Sequence, residues 1–142
     1  MEIIKGNLIT LHKQGEFDLI GHGCNCFNIM GNGIAAQIKS SFPNVFEMDE
    51  SFYIMKGNIN RLGCFSYSST DKIANLYTQF LLGPCADLTA ISLSLYKINH
   101  IFIGKHIGLP KIGCGLGGLN WKDVEPIIKK QLVDMKVTIV EL

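Results

Sequence analysis

Two glycine-rich segments carry the residues of this sequence that are best placed to do chemistry. The first is Gly31-Asn32-Gly33, directly before a predicted helix, and the second is Gly113-Cys114-Gly115-Leu116-Gly117-Gly118, directly after a predicted strand. A helix N-terminus offers unpaired backbone N–H groups and a partial positive charge, and glycine lets the backbone approach an anion closely. Together the segments predict a site where N–H groups hold a diphosphate.

Tight turns are the alternative use of these glycines, and either segment alone would be weak evidence for a site. Neither segment matches the dinucleotide-binding fingerprint or the P-loop. The four glycines in the six residues of the second segment each cost about 0.5–1 kcal/mol relative to alanine, which favours a functional use of the backbone.

His22 is the ionisable side chain beside the first segment. Its reference pKa lies near neutrality, so it could protonate a leaving group or activate water. It also falls in a predicted buried strand, where a histidine can simply hydrogen-bond a backbone carbonyl, and both interpretations stay open. Cys24 and Cys26 are too few for a zinc site and are expected to be buried, reduced thiols. We expect no cofactor and no metal.

Alternating strands and helices must position these residues. Strands are predicted at Glu2–Lys5, Phe17–Gly23, Arg61–Ser69, Lys72–Gln79, His106–Ile112 and Lys136–Leu142. Helices are predicted at Gly33–Ser41, Val45–Glu50 (capped by Asn44), Asp87–His100 and Lys122–Met135. This order predicts an α/β fold with helices on both sheet faces and a ligand site outside the carboxyl ends of the strands.

Composition narrows the classes of partner. The 142 residues, 47% hydrophobic and 18% charged, predict one domain over residues 1–142. The net charge of +1 gives no reason to expect a nucleic acid as partner. No apolar run approaches the roughly 20 residues of a membrane span. The odd count of five cysteines and a start without a signal-peptide pattern predict a cytoplasmic protein, and the lack of a coiled-coil pattern predicts a monomer.

Along nearly its whole length, the sequence resembles the macro-domain family. Lys5-Gly6-Asn7-Leu8-Ile9 is similar to the family's Gly-Asp-Ile/Leu segment, and the stretch from His22-Gly23-Cys24-Asn25-Cys26 to Gly31-Asn32-Gly33-Ile34 is similar to its first ligand loop. Pro110–Leu116, followed by Asn120-Trp121, is similar to its second ligand loop. The resemblance implies a three-layer α/β/α macro domain with a mixed central sheet and ADP-ribose or ADP-ribose 1''-phosphate as the ligand.

The resemblance also implies a role for single residues. Asn7 stands where the family has the acid that binds the adenine amino group, and its carbonyl oxygen can accept the same hydrogen bond. Asn25 stands where the family has the asparagine that contacts the distal ribose. The ligand-binding residues implied in this way are Asn7, Leu8, Asn25, Gly31, Asn32, Gly33, Ile34, Thr78, Gln79, Gly113, Cys114, Gly115, Leu116 and Gly117.

Within the family, the segments around His22 and Asn75-Leu76-Tyr77-Thr78-Gln79 resemble the branch of the ADP-ribose 1''-phosphate phosphatases and their phage and bacterial relatives. The resemblance implies a phosphatase with His22 and Asn25 as catalytic residues. A neighbouring branch removes ADP-ribose from proteins with a lysine and an aspartate, and at those positions this sequence has Gln79 and Gly117. Asn120 stands where many phosphatase relatives have an acid.

Two alternatives to the phosphatase remain. One is a module that binds ADP-ribose without turnover. The other is a hydrolase that acts on ADP-ribosylated protein or on O-acyl-ADP-ribose.

Overall fold

A computed structural model describes residues 1–142. The strands are β1 (Glu2–Lys5), β2 (Leu19–Asn25), β3 (Phe65–Ser68), β4 (Ile73–Gln79), β5 (His106–Leu109) and β6 (Lys136–Glu141). The α-helices are α1 (Leu8–Lys13), α2 (Gly33–Ser41), α3 (Pro43–Glu50), α4 (Leu88–Ile101) and α5 (Trp121–Gln131), and a 3-10 turn spans Ile59–Arg61. No helix is both long enough and apolar enough to span a lipid bilayer.

The six strands form one mixed sheet in the order β1-β6-β5-β2-β4-β3. Only β3 runs antiparallel to its neighbour, β4, and every other pair is parallel. The carboxyl ends of β1, β6, β5, β2 and β4 therefore meet at one edge of the sheet, where the loops of an α/β fold build ligand sites.

Helices cover both faces of this sheet. α4 and α5 pack on one face around a core that includes Leu76, Ile91 and Val124. α1, α2 and α3 cover the other face around a second core that includes Ile38 and Val45. The predicted three-layer α/β/α architecture with a mixed sheet is thus confirmed.

Two elements were not predicted from the sequence. α1 follows directly on β1, and the Asn7 side chain caps it by accepting a hydrogen bond from the Thr10 N–H at 2.9 Å. The 3-10 turn occupies the start of the strand expected at Arg61–Ser69, so β3 begins only at Phe65. The physical reason is Arg61, whose buried side chain forms an ion pair with Asp49 of α3.

Prolines move two predicted boundaries. α3 begins at Pro43 with Phe42 as its N-cap, so the expected cap at Asn44 is wrong. Proline fits the first turn because its missing N–H has no helical partner there. β5 ends at Leu109 instead of Ile112. Pro110 has no N–H to donate to a neighbouring strand.

Candidate functional site

A cavity of about 480 Å³ opens at the carboxyl edge of the sheet, beside the ends of β2, β4 and β5. Its walls come from residues 23–25, 29–30, 32–35, 78–79, 82–83, 110–113 and 115–117, with Asp49 added from α3. Both glycine-rich segments therefore contribute to one pocket, as expected from their positions after neighbouring strands.

The first glycine-rich segment brings the N-terminus of α2 to the pocket. Asn32, Gly33 and Ile34 line it, whereas Gly31 does not. α2 begins at Gly33, whose φ of 58° lies in the left-handed region that glycine adopts without strain. The Asn32 side chain makes no capping hydrogen bond, so the first N–H groups of α2 have no side-chain acceptor. Such a helix end is suited to an anion.

The second segment lines the opposite wall with Gly113, Gly115, Leu116 and Gly117. A Cβ on Gly117 would lie 2.7 Å from Gly113 O, so this turn closes only with glycine. Cys114, expected among the ligand contacts, is not part of the lining. Its side chain packs against the core under α4 and α5 instead.

Asn25 lines the pocket, and its side-chain amide makes hydrogen bonds within its own loop. Its Nδ2 donates to Ile29 O at 2.9 Å, and its Oδ1 accepts from the Phe27 N–H at 2.9 Å. The side chain therefore holds the shape of the loop that leads to α2, a positioning role added to the expected ribose contact. A direct role in catalysis stays a prediction for Asn25.

Thr78 and Gln79 also line the pocket, at the end of β4. A Cβ on Gly23 would lie 2.8 Å from Thr78 Oγ1, so the glycine leaves room for the threonine. Gln79 Nε2 donates to Leu81 O at 2.7 Å and to Gly83 O at 3.0 Å. Its amide therefore fixes the 81–83 turn at the pocket rim.

Asn7 and Leu8 lie outside the pocket lining. The Leu8 side chain is buried in the core between α1 and the sheet, so a ligand contact by Leu8 stays a prediction. Asn7 follows β1 at the same edge of the sheet, beyond Lys111, which lines the pocket and pairs with Glu141 at 2.7 Å. An adenine contact by Asn7 stays a prediction and requires a ligand that extends past Lys111.

His22 does not reach the pocket. It is fully buried on the sheet face that α3 covers, and its Nε2 donates to Asn75 Oδ1 at 2.6 Å. Burial lowers the pKa of His22 to about 4, against the smaller opposing effect of the Asn75 hydrogen bond. The pocket takes residues 23–25 from the end of β2, one residue beyond His22, so the role of His22 as catalytic acid or base stays a prediction without an observed pocket contact.

Asp49 is the pocket residue that the sequence did not reveal. It lines the pocket from α3 with a fully buried side chain. Burial raises its pKa, against the opposing effects of the Tyr77 hydrogen bond and the Arg61 charge. An acid in a short helix is usually solvated, so no local signal distinguishes Asp49 from Glu47 or Glu50.

All five cysteines are free thiols, with Cys24 and Cys26 buried. Burial raises the pKa of both thiols, so neither is a thiolate at neutral pH. No group of three or more His, Cys, Asp or Glu side chains is arranged to hold a metal ion.

No protein-family model matches the sequence. Curated relatives do: the chain is 34% identical to the "Uncharacterized 17.5 kDa protein in tk-vs intergenic region" of Enterobacteria phage T4, over 99% of this chain and 96% of that protein. It is 30% identical to the ADP-ribose 1''-phosphate phosphatase of Candida albicans, over 92% of each chain. It is 27% identical to a DNA ADP-ribosyl transferase–DNA ADP-ribosyl glycohydrolase fusion protein of Thermosipho africanus, but spans only 35% of it.

Solved structures agree on the fold. The macrodomain of Thermus aquaticus DarG superposes with a TM-score of 0.77 at 20% identity, over 99% of this chain and 97% of that one. Thermosipho africanus DarTG in complex with ADP-ribose gives a TM-score of 0.77 at 21% identity, over 99% of this chain and 41% of that one. With the phosphatase relative matched along its length and the fold shared with known macrodomains, this chain belongs to the macro-domain family.

Proposed function

We propose that this protein binds ADP-ribose, with the diphosphate held between the N-terminus of α2 and the 113–117 turn. The observation that carries the proposal is the convergence of both glycine-rich segments on one cavity. Its volume of about 480 Å³ falls within the usual range for small-molecule sites.

Backbone groups carry the diphosphate in this proposal. Lys111 is the one basic side chain of the lining, and it is paired with Glu141. The N–H groups at the start of α2 and in the glycine turn supply the remaining positive potential, in the manner of other anion sites built from backbone. This explains how a protein with a net charge of +1 could hold a diphosphate.

The reaction we propose is hydrolysis of ADP-ribose 1''-phosphate to ADP-ribose and phosphate. A 30% identical relative of nearly equal length carries the name of that phosphatase, which supports the proposal. In it, loop N–H groups stabilise the charge on the phosphoryl group while water attacks phosphorus and the sugar oxygen leaves with a proton. With His22 buried elsewhere, the ionisable side chains that line the pocket are Cys24, Asp49 and Lys111.

A second candidate is the release of ADP-ribose from a modified macromolecule. It is favoured by the relatives named as DNA ADP-ribosyl glycohydrolases, of which this chain spans about a third. A lysine-dependent route is disfavoured, since Gln79 occupies the matching position and its amide is bonded to the 81–83 turn. A binding module without turnover needs the same loops and no catalyst.

Parallel assays with the purified protein separate these functions. Calorimetry measures the binding of ADP-ribose. Two activity assays measure the release of phosphate from ADP-ribose 1''-phosphate and the release of ADP-ribose from ADP-ribosylated protein and ADP-ribosylated DNA. We expect binding together with phosphate release. Release only from a macromolecule would select the second candidate, and binding without turnover would select the module. No calorimetric signal with ADP-ribose would refute the proposed function as a whole.

A further inference from the structure

Cys64 and Lys97 form a pair of reactive side chains away from the pocket. Lys97 Nζ of α4 lies 3.4 Å from Cys64 Sγ, although the two residues are 33 positions apart in the sequence. Neither residue lines the pocket, so the pair has no part in the proposed function. We propose that the pair is a redox-sensitive modification site, at which peroxide produces a covalent bond between the Cys64 sulfur and the Lys97 nitrogen. This bond ties α4 to the start of the edge strand β3.

The backbone before β3 holds the sulfur in place. Cys64 O accepts a hydrogen bond from the Tyr77 N–H at 3.0 Å, and the Gly63 N–H donates to Tyr77 O at 2.9 Å. Gly63 has a φ of 85° and approaches α4 so closely that a Cβ there would lie 3.2 Å from Leu93 Cβ. Leu93 and Lys97 are four residues apart and therefore lie on the same side of α4. The close approach at Gly63 thus brings the lysine to the cysteine.

Hydrogen bonding holds the Lys97 nitrogen beside the sulfur. Its Nζ donates to Gly63 O at 2.9 Å. None of the four ion pairs of the protein includes Lys97, so no carboxylate draws the nitrogen away. The separation of 3.4 Å between nitrogen and sulfur falls in the range of about 3–3.5 Å at which reacting atoms are poised for attack.

The surroundings of Cys64 differ from those of the other thiols. Burial raises the pKa of the Cys24, Cys26 and Cys114 thiols. Cys85 is exposed, and its sulfur contacts carbonyl oxygens and a side-chain amide rather than a cation. Reactive cysteines in proteins are partly exposed and lie beside cations. Cys64 is half-buried next to an ammonium group, so we expect peroxide to oxidise it.

The proposed reaction has two steps and uses hydrogen peroxide as the oxidant. In the first, the Cys64 sulfur attacks peroxide and the O–O bond breaks, so that sulfur is oxidised to sulfenic acid and peroxide is reduced to water. In the second, Lys97 loses a proton to solvent and its nitrogen attacks the sulfur. The S–O bond breaks, an S–N bond forms, and the hydroxyl leaves with a proton of the amine as water. An external thiol reverses the link, because two of its molecules join in a disulfide while the cysteine and the lysine are regenerated.

Peptide mass spectrometry of the peroxide-treated protein tests the link. Trypsin should release peptide 62–72 joined to peptide 73–105, because a modified Lys97 is no longer a cleavage site. The joined mass should equal that of the two reduced peptides less two hydrogen atoms, and dithiothreitol should separate them. The absence of a joined peptide, or a joined peptide still cut after Lys97, overturns the proposal.

Three variants separate the link from other oxidation products. Lys97→Arg keeps the positive charge but removes the amine, so the joined peptide should be lost while dimedone labels Cys64 as a sulfenic acid. Cys64→Ser should lose both signals. Cys85→Ser is the matched control: it removes the exposed thiol that could form a disulfide with Cys64, and the joined peptide should remain. A joined peptide in Lys97→Arg, or its loss in Cys85→Ser, contradicts a bond between Cys64 and Lys97.

Thermal unfolding measures the effect of the link on the fold. The bond closes the segment 64–97 and restricts the unfolded chain as a disulfide does. Peroxide should therefore raise the Tm of the wild-type protein by about 5–10 °C relative to Cys64→Ser treated in the same way. An equal Tm in the two treated proteins overturns the proposal.

Discussion

Gly117→Ala tests whether the 113–117 turn requires a bare backbone. The added Cβ would lie 2.7 Å from Gly113 O and 2.8 Å from Ala86 Cβ, well inside ordinary contact distances. The turn cannot retreat freely, because Gly117 O accepts a hydrogen bond from the Ala86 N–H at 3.1 Å. Overpacking of this kind costs about 1–3 kcal/mol. For a protein of this size, that corresponds to a fall in Tm of about 3–10 °C.

Gly115→Ala is the matched control, since it lies in the same turn and a Cβ there would meet nothing within 4 Å. Calorimetric unfolding should show a change within about 0.5 kcal/mol for this variant. ADP-ribose titrations of Gly117→Ala should show a loss of about tenfold or more, because a displaced N–H no longer meets the diphosphate. A Gly117→Ala protein that melts and binds like wild type, or a Gly115→Ala protein that is equally destabilised, would refute the reasoning about this turn.

Two further predictions concern side chains that act on structure. Because the folded state lowers the pKa of His22 from 6.5 to about 4, the unfolded chain takes up a proton between these values that the folded protein does not. The free energy of unfolding should therefore fall by about 2–3 kcal/mol between pH 7 and pH 4.5, and urea titrations of His22→Gln should lack this contribution. Gln79→Ala removes both hydrogen bonds to the 81–83 turn, so hydrogen exchange should accelerate across that turn while global stability falls by only about 1 kcal/mol. Unchanged exchange there would show that Gln79 does not hold the rim.

The structure indicates a structural role for His22. The pattern around it led to an expectation of catalysis, yet its imidazole is bonded to Asn75. A chain of buried hydrogen bonds runs from Asn75 through Ser66 and Tyr77 to Asp49. A substitution of His22 could therefore lower activity by disturbing that chain, without any contact between the imidazole and the ligand. Loss of activity in such a variant is not by itself evidence of acid–base catalysis.

The sequence alone determined the layered α/β fold and the two glycine loops. Periodicity predicts α2 at Gly33–Ser41 and β1 at Glu2–Lys5, and both bounds agree with the structure. Such features are local: the spacing of apolar residues and the position of glycines depend on the adjoining chain only. The helix α1 was not predicted, because its six residues are too few for the spacing of apolar residues to identify a helix.

Only the tertiary structure decided which polar side chains line the pocket. The pocket is lined by the last three residues of β2, from both faces of the strand, so the position along the strand decides which residues line it, and His22 lies one residue short. Asp49 reaches the pocket because α3 packs across β4, and its charge is tolerated there because Arg61, twelve residues later, is buried against it. When a charged residue is buried only because a partner from another element neutralises it, the sequence around that residue gives no sign of the burial.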